Sequence, residues 1–393
     1  MAESVWRIPL ADVDMGEPEI AAVTEVLRSG WLTMGEKTQA FEAAMAARLG
    51  VRHAFAVANG TVALHLAYAA LGLGPGDEVI LPALTFVATA NAATYTGATP
   101  VFAEIRGPHD LNIDPTDVAR RITPRTRAIC VVHYAGYPVD MRPILALARE
   151  HNLGVVEDAA HAPGATYQGQ SLGAIGDVGC FSFFSNKNLA VGEGGLVVTN
   201  RDDLAERIRL MRSHGMTTLT WDRHRGHASS YDVVSPGFNY RLDEIRAALG
   251  LAQLDRLDGN NARRKALVDR YRELLTGVPG VEAPFAQPLG EPSYHIMPVL
   301  LTPELSRAAV IAAMKADRIQ TSIHYPPIHL FTYYRERFGT QEGLLPLTEA
   351  VAARELTLPL YPTLGPDGVE QVVAGLRRAV ESARQAPDAV SAI

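Results

Sequence analysis

Apolar residues recur along the first two-thirds of the chain with two periods, one of helices and one of strands. From Pro18 to Ser29, Ile20, Val23, Val26 and Leu27 share a helical face, and Gly30 supplies the stop. Phe41, Met45 and Leu49 stripe a second helix that ends at Gly50. Short, mostly β-branched runs follow at Val79-Ile80-Leu81, Pro100-Val101-Phe102, Ala128 to Val132 and Gly154-Val155-Val156, separated by segments long enough for helices. That rhythm predicts an α/β fold with a mostly parallel sheet covered by helices. Val178 to Phe184 and Leu196 to Thr199 add two strands with a short connection. A long helical stretch runs from Leu242 to Leu275, with an interruption expected near Gly259.

After it, a strand from Tyr294 to Leu301, a helix from Pro303 to Lys315 and a closing helix from Val369 to Ala383 form a smaller α+β unit. The expected organisation is a large domain over residues 1–250, N-terminal segment included, then a linking helix and small C-terminal domain over residues 251–393. The tail from Ala386 is expected to fray. No internal repeat or low-complexity linker separates the units.

Composition narrows the class. With 393 residues and 47% of them hydrophobic, the chain has ample material for a core. A formal charge of −7 argues against a surface devoted to nucleic acid. Cys130 and Cys180, both in apolar runs, suit a reducing interior. No stretch reaches the roughly 18 apolar residues of a membrane span, and the first residues do not read as a signal peptide, so the expected place is the cytoplasm.

The chemistry centres on Lys187, in Phe183-Phe184-Ser185-Asn186-Lys187-Asn188 ahead of Gly192-Glu193-Gly194-Gly195. Read with Asp158, which ends the apolar strand from Leu153, it suggests an amine placed to form a Schiff base with an aldehyde cofactor whose ring nitrogen meets a carboxylate. A solvated lysine and a strand-end aspartate that caps the turn at Ala159-Ala160-His161 are the plain alternatives. His161 fits a packed core histidine equally well. Asn59-Gly60-Thr61 opens a helix striped by Leu64, Ala67, Tyr68 and Leu71, and its free amides and hydroxyl suit a phosphate. Thr61 acting only as a helix cap is the competing reading. Ser182 lies between two phenylalanines in a strand-like run, so it must point away from both. The glycines Gly72, Gly74 and Gly76 follow a helix, which excludes a dinucleotide fingerprint, and no Gly-Lys-Ser/Thr loop is present.

These motifs, with Ile8-Pro9-Leu10, Ser29-Gly30-Trp31-Leu32-Thr33, Gly237-Phe238-Asn239-Tyr240-Arg241, Ile323-His324-Tyr325-Pro326-Pro327-Ile328-His329 and Leu358-Pro359-Leu360-Tyr361-Pro362, stand in one order. The chain resembles the DegT/DnrJ/StrS family of pyridoxal-phosphate sugar aminotransferases over nearly its whole length. The resemblance implies that Lys187 holds the cofactor and moves the proton between substrate and cofactor carbons. It implies that Asp158 meets the pyridinium nitrogen, His161 bonds the phenolic oxygen, and Phe86 stacks on the ring, although Phe86 also suits a core aromatic. Gly60, Thr61, the Val62 amide and Ser182 match phosphate ligands. Asn239 matches a residue reaching the phosphate from a neighbouring subunit, which makes a homodimer with shared sites the expected catalytic unit.

The family also holds dehydratases with histidine at the lysine position, so Lys187 speaks for transamination. The implied reaction passes an amine from a donor, L-glutamate by expectation, through pyridoxamine phosphate to a nucleotide-linked 3- or 4-keto sugar; a cyclitol ketone is the alternative acceptor. Trp31, Thr33, His324, Tyr325 and His329 lie in segments that border substrate in the family. Arg223 and Arg225, in the polar loop Trp221 to His227, suit a nucleotide diphosphate or a plain solvated loop. His214, His224 and His227 lack the cysteine or carboxylate that would complete a metal site. A non-catalytic regulator or partner subunit is the rival class, against which no DNA-reading extension is present.

Overall fold

The computed structural model describes residues 6–218 and 230–385. Seven strands form the main sheet in the order His53–Val57, Gly195–Thr199, Val178–Ser182, Gly154–Asp158, Thr126–Val132, Glu78–Pro82 and Thr99–Ala103. All run in one direction except Gly195–Thr199, which pairs antiparallel with both neighbours. The strands expected from the apolar runs are all present. The edge strand His53–Val57 was missed, because His-Ala-Phe-Ala-Val holds a single β-branched residue and so lacks the apolar run that marks the other strands.

Helices cover both faces, and the two-residue period of the strands divides the core accordingly. Val79 and Leu81 join one hydrophobic cluster with Leu64, Tyr68 and Ile208. Ile80, Phe181 and Phe183 join the other with Phe41, Met45 and Ile144. A third cluster lies on an antiparallel sheet of Val281–Glu282, Met297–Leu301 and Glu355–Leu358, packed with the helices Arg307–Ala316 and Gly365–Gln385.

The helix Glu244–Leu275 joins the two sheets as 32 continuous residues. The break expected near Gly259 is absent. A β-carbon there would meet nothing within 4 Å, so glycine costs this exposed turn only about 1 kcal/mol of helix propensity. Gly250 on the same helix is different: a β-carbon would lie 2.9 Å from the Phe41 ring, so its absence lets the helix pack closely. The boundary expected at residue 250 falls inside this helix. The first described residues run along the second sheet, with Ile8 bridged to Ile319 and Leu10 accepting from the Leu360 amide.

Two expectations change in detail. The first helix, Glu17–Ser29, buries Val26 but leaves Ile20 and Leu27 exposed, because it packs on the long helix through only part of its apolar stripe. The strand read from Tyr294 begins at Met297, and the helix read from Pro303 begins at Arg307, where Ser306 caps it. Both cysteines are buried and free. Among the described residues no helix is long and apolar enough to cross a membrane.

Candidate active site

The carboxyl ends of parallel strands leave their last side chains facing a crevice, where α/β folds bind ligands. Here that edge holds a cavity of about 400 Å³. Its lining brings together Gly60, Thr61, Phe86, Asp158, His161, Ser182, Lys187, His324 and Tyr325 from five separate segments of the chain.

Asp158 ends its strand on the face shared with Val156, while Glu157 points to the opposite face. The Asp158 carboxylate accepts from Thr89 Oγ1 at 2.8 Å and from the Ala160 amide at 3.2 Å. Burial pushes this carboxyl up, against those bonds and the Lys187 charge. Glu157 is a structural anion: it accepts from His133 Nε2 and from the amides of Gly173, Ile175 and Gly176.

Lys187 sits in the turn between two antiparallel strands, Val178–Ser182 and Gly195–Thr199. Burial pulls its ammonium down to about 8, against the pull of Asp158. A neutral amine is therefore accessible near physiological pH. Its Nζ lies 3.4 Å from His295 Nε2.

Ser182 points away from Phe181 and Phe183, both fully buried, and towards the start of the helix Gly60–Ala70. The hydroxyl side of the strand therefore faces the cavity, as alternation requires. A β-carbon on Gly60 would approach Ser182 Cβ to 2.8 Å, so only glycine leaves the helix amides open to this corner. The cap of that helix is Asn59, whose Oδ1 accepts from the Val62 amide at 3.0 Å. Thr61 is thereby free of the capping role, and the Val62 amide is already partnered within the chain.

Phe86 is 57% exposed, which removes its reading as a core aromatic. Its ring faces the cavity 6.1 Å from that of Tyr325. His161 Nδ1 accepts from the Ala135 amide, so the neutral ring carries its proton on Nε2 and donates towards Tyr325 Oη at 3.1 Å. Burial, then Lys187 and His324, hold His161 well below the ordinary histidine range. His324 is pulled down to about 4 by burial and by Lys187.

The remaining candidates lie elsewhere. His329 is fully buried and paired with Glu349 at 2.8 Å, outside the cavity lining. Trp31 and Thr33 precede the helix Glu36–Leu49 and do not line this chain's own cavity. Asn239 is exposed, bridged to Ser213, and also outside it. Arg223 and Arg225 lie outside the described residues, as do His224 and His227. Among the described residues, no three His, Cys, Asp or Glu side chains group as metal ligands. A larger cleft of about 850 Å³ opens at the opposite, amino edge of the sheet and contains none of the candidates.

Sequence reading missed Thr89, Asn188 and His295. Thr89 stands three residues after Phe86 in the next helix, and His295 immediately precedes the apolar run at Ile296. Polar residues beside predicted strands and helix starts were the available signal.

Comparison with known proteins agrees with this fold over most of the chain. The model of the DegT/DnrJ/EryC1/StrS aminotransferase family matches residues 13–377. The spore coat polysaccharide biosynthesis protein SpsC of Bacillus subtilis is 44% identical over 384 residues, covering 96% of this chain and 97% of its own. DesV of S. venezuelae, solved in complex with a ketimine intermediate, is 39% identical with a TM-score of 0.85, covering 92% of this chain and 94% of its own. Spr1654 of Streptococcus pneumoniae, solved in PMP and PLP forms, superposes in the PMP form with a TM-score of 0.90 at 29% identity, over 96% of this chain and 100% of its own. The chain belongs to the DegT/DnrJ/EryC1/StrS aminotransferase family, and it is an aminotransferase.

Proposed function

We propose that this chain is a pyridoxal-phosphate-dependent sugar aminotransferase that takes an amine from L-glutamate and delivers it to a nucleotide-linked 3- or 4-keto sugar. The observation that carries the reading is the meeting of Lys187 and Asp158 in one cavity, which a glycine-opened helix start also lines.

The residues fit the cofactor. Gly60, Thr61 and Ser182 form a polar corner at the amino end of a helix, where backbone amides and dipole favour a phosphate. Phe86 offers an exposed apolar face to a flat ring. Among the described residues no cationic side chain bonds the buried Asp158 carboxylate, and a pyridinium would supply that charge. His161 presents an N–H donor suited to a phenolate oxygen. When bound, the cofactor supplies an electron sink for the carbon that loses its proton.

The chain's own residues do the rest. Lys187 Nζ, poorly able to keep a proton when buried, serves as the nucleophilic amine and then as the base and acid that carries one proton across the cavity. His324 and Tyr325 close the side facing the second sheet and orient the acceptor. Support for a sugar acceptor comes from the relative SpsC, a spore coat polysaccharide biosynthesis protein.

Two copies would complete the site. Asn239 lies outside its own cavity, and Ile20, Leu27 and Tyr95 are apolar side chains left exposed, surface that a second copy would cover. Trp31, Thr33 and Asn239 are assigned to the partner's cavity on this reading.

The test is the visible absorption of the purified protein with added pyridoxal phosphate, with and without L-glutamate, beside Lys187→Ala. A lysine-dependent band that glutamate bleaches supports the first half-reaction, and a colourless protein or a band that survives in the variant sinks it. Recovery of the band with keto sugar nucleotides but not with cyclitol ketones then decides the acceptor.

A further inference from the structure

We propose that His295 is a positioning residue for Lys187: its Nε2 lone pair accepts a hydrogen bond from Nζ and holds the free amine in place at the carboxyl edge of the sheet. Its functional meaning rests on the reading of Lys187 given above, whereas its geometry stands without it.

The tautomer follows from Asn188. The Asn188 amide donates to Ser293 O at 2.7 Å and to Asn261 Oδ1 at 2.8 Å, which uses both hydrogens of Nδ2. Ser293 O is a backbone carbonyl and can only accept, so the orientation of the amide is fixed. Asn261 is fixed in turn, because its Nδ2 donates to Pro163 O at 2.9 Å. Asn188 Oδ1 is thus left to accept, and His295 Nδ1 lies 3.0 Å from it. The proton of the neutral imidazole must sit on Nδ1. Nε2 then has only a lone pair to offer, and it faces Nζ at 3.4 Å.

The ring cannot wander from this place. Its backbone N–H donates to Ala135 O at 2.9 Å, and Arg264 Nη1 donates to its carbonyl at 3.1 Å. Nor does it readily take a second proton. It is buried, and Lys187, His161, Arg264 and His324 surround it with actual or potential positive charge. A neutral acceptor suits a lysine that must stay close without being repelled. No bond is made or broken in this role; Nζ shares a hydrogen and releases it when it moves into the cavity.

The groups facing Lys187 are Asp158 at its strand end, His161 in the following turn, His324 and Tyr325 from the loop at the second sheet, and Glu193. A hydrogen bond to an ammonium is stronger than one to an amine, so losing the acceptor favours the neutral form and lowers the Lys187 midpoint further, by about one pH unit.

The experiment uses full-length protein stripped of cofactor, with the rate of Lys187 acetylation by acetic anhydride followed by peptide mass across pH. His295→Asn keeps a partner for Asn188 and loses the acceptor; His295→Gln keeps an amide oxygen within reach of Nζ. The expected result is a midpoint about one unit below wild type in His295→Asn and close to wild type in His295→Gln. Equal midpoints in all three proteins would make the histidine merely structural, and a rise in His295→Asn would mean that the ring is charged; either overturns the proposal. A measurement on unmutated protein stands beside it: nitrogen NMR of histidine-labelled chain must show, apart from that of His324, whose Nδ1 faces Thr357 Oγ1, a ring protonated at Nδ1 and bare at Nε2 whose signal is lost from the bare-Nε2 set in either variant. A buried His295 protonated at Nε2 refutes the proposal whatever the variants do. Because no cofactor is present, a failed absorption test would remove the functional reading and leave this hydrogen bond intact.

Discussion

Thr89 Oγ1 donates to Asp158 Oδ2 across 2.8 Å, and Thr85 Oγ1 lies 3.1 Å behind it, so a short hydroxyl relay ends on the one buried carboxylate of the cavity. The relay favours the ionised form of Asp158 against the burial that opposes it. Thr89→Val removes the donor and preserves the shape. Weakening one hydrogen bond to a charge by about 1.5 kcal/mol should raise the dissociation constant for pyridoxal phosphate roughly tenfold. Titration of the cofactor-free protein by absorbance checks it, and unchanged affinity would separate Asp158 from the cofactor ring.

Gly60 tests the polar corner. A β-carbon at this position would stand 2.8 Å from Ser182 Cβ, an atom fixed by the strand backbone, so the helix start must move. Gly60→Ala is expected to lower cofactor affinity at least tenfold, because a small misplacement of oriented amides costs much of an anion site. Gly74→Ala is the control: a β-carbon there meets nothing within 4 Å, and the affinity should stay at the wild-type value. Equal losses in both variants would place the phosphate elsewhere.

The parts of the site legible in the sequence are those written locally. Lys187, Asp158 and Ser182 stand in or beside apolar strands whose period fixes which way each points. Thr89 and His295 reach the same cavity region from a helix and a loop, as common residue types with no local pattern, and only the packing of distant segments reveals them. His329 shows the converse. It sits in a conspicuous motif, yet Glu349 pairs with it inside the core. Ile20 and Leu27 carried a correct helical period but not the identity of what covers them, since period reports an apolar face and not its neighbour.

Glu157 and Asp158 are adjacent acids with opposite duties, and their stability effects should differ. All four lone-pair directions of Glu157 are filled, by His133 and three amides of the turn Gly173 to Gly176. Despite burial, these bonds hold its folded value below the ordinary 4.5. Its contribution is therefore present above pH 4.5 and is lost as pH falls through the lowered folded value. Glu157→Gln replaces one accepting oxygen with an NH2 group that turns a donor towards donors, and should cost about 3 kcal/mol at neutral pH. Urea unfolding at neutral pH and in acid checks both parts: the gap between the two proteins should close only in acid. A gap that persists unchanged in acid would mean that packing, not charge, is what Glu157 provides.

Lys187 predicts a slope of the same sign in a different pH window, and with a penalty in place of a gain. Its folded value of about 8 lies below the ordinary 10.5, so the unfolded chain holds more protons between those limits. Below pH 8 the folded cofactor-free protein carries the full penalty of a buried ammonium, at most about 3 kcal/mol from a shift of this size. Between pH 8 and 10.5 that penalty fades, and stability from this group rises with pH. Lys187→Met should therefore be more stable than the unmutated protein at pH 7 and gain less advantage as pH approaches 10. Chemical unfolding of both cofactor-free proteins at the two pH values measures the difference. A variant that is less stable at pH 7 would mean that Asp158 and His295 hold the ammonium more favourably than water does, and the amine would then lack the low proton affinity its chemistry requires.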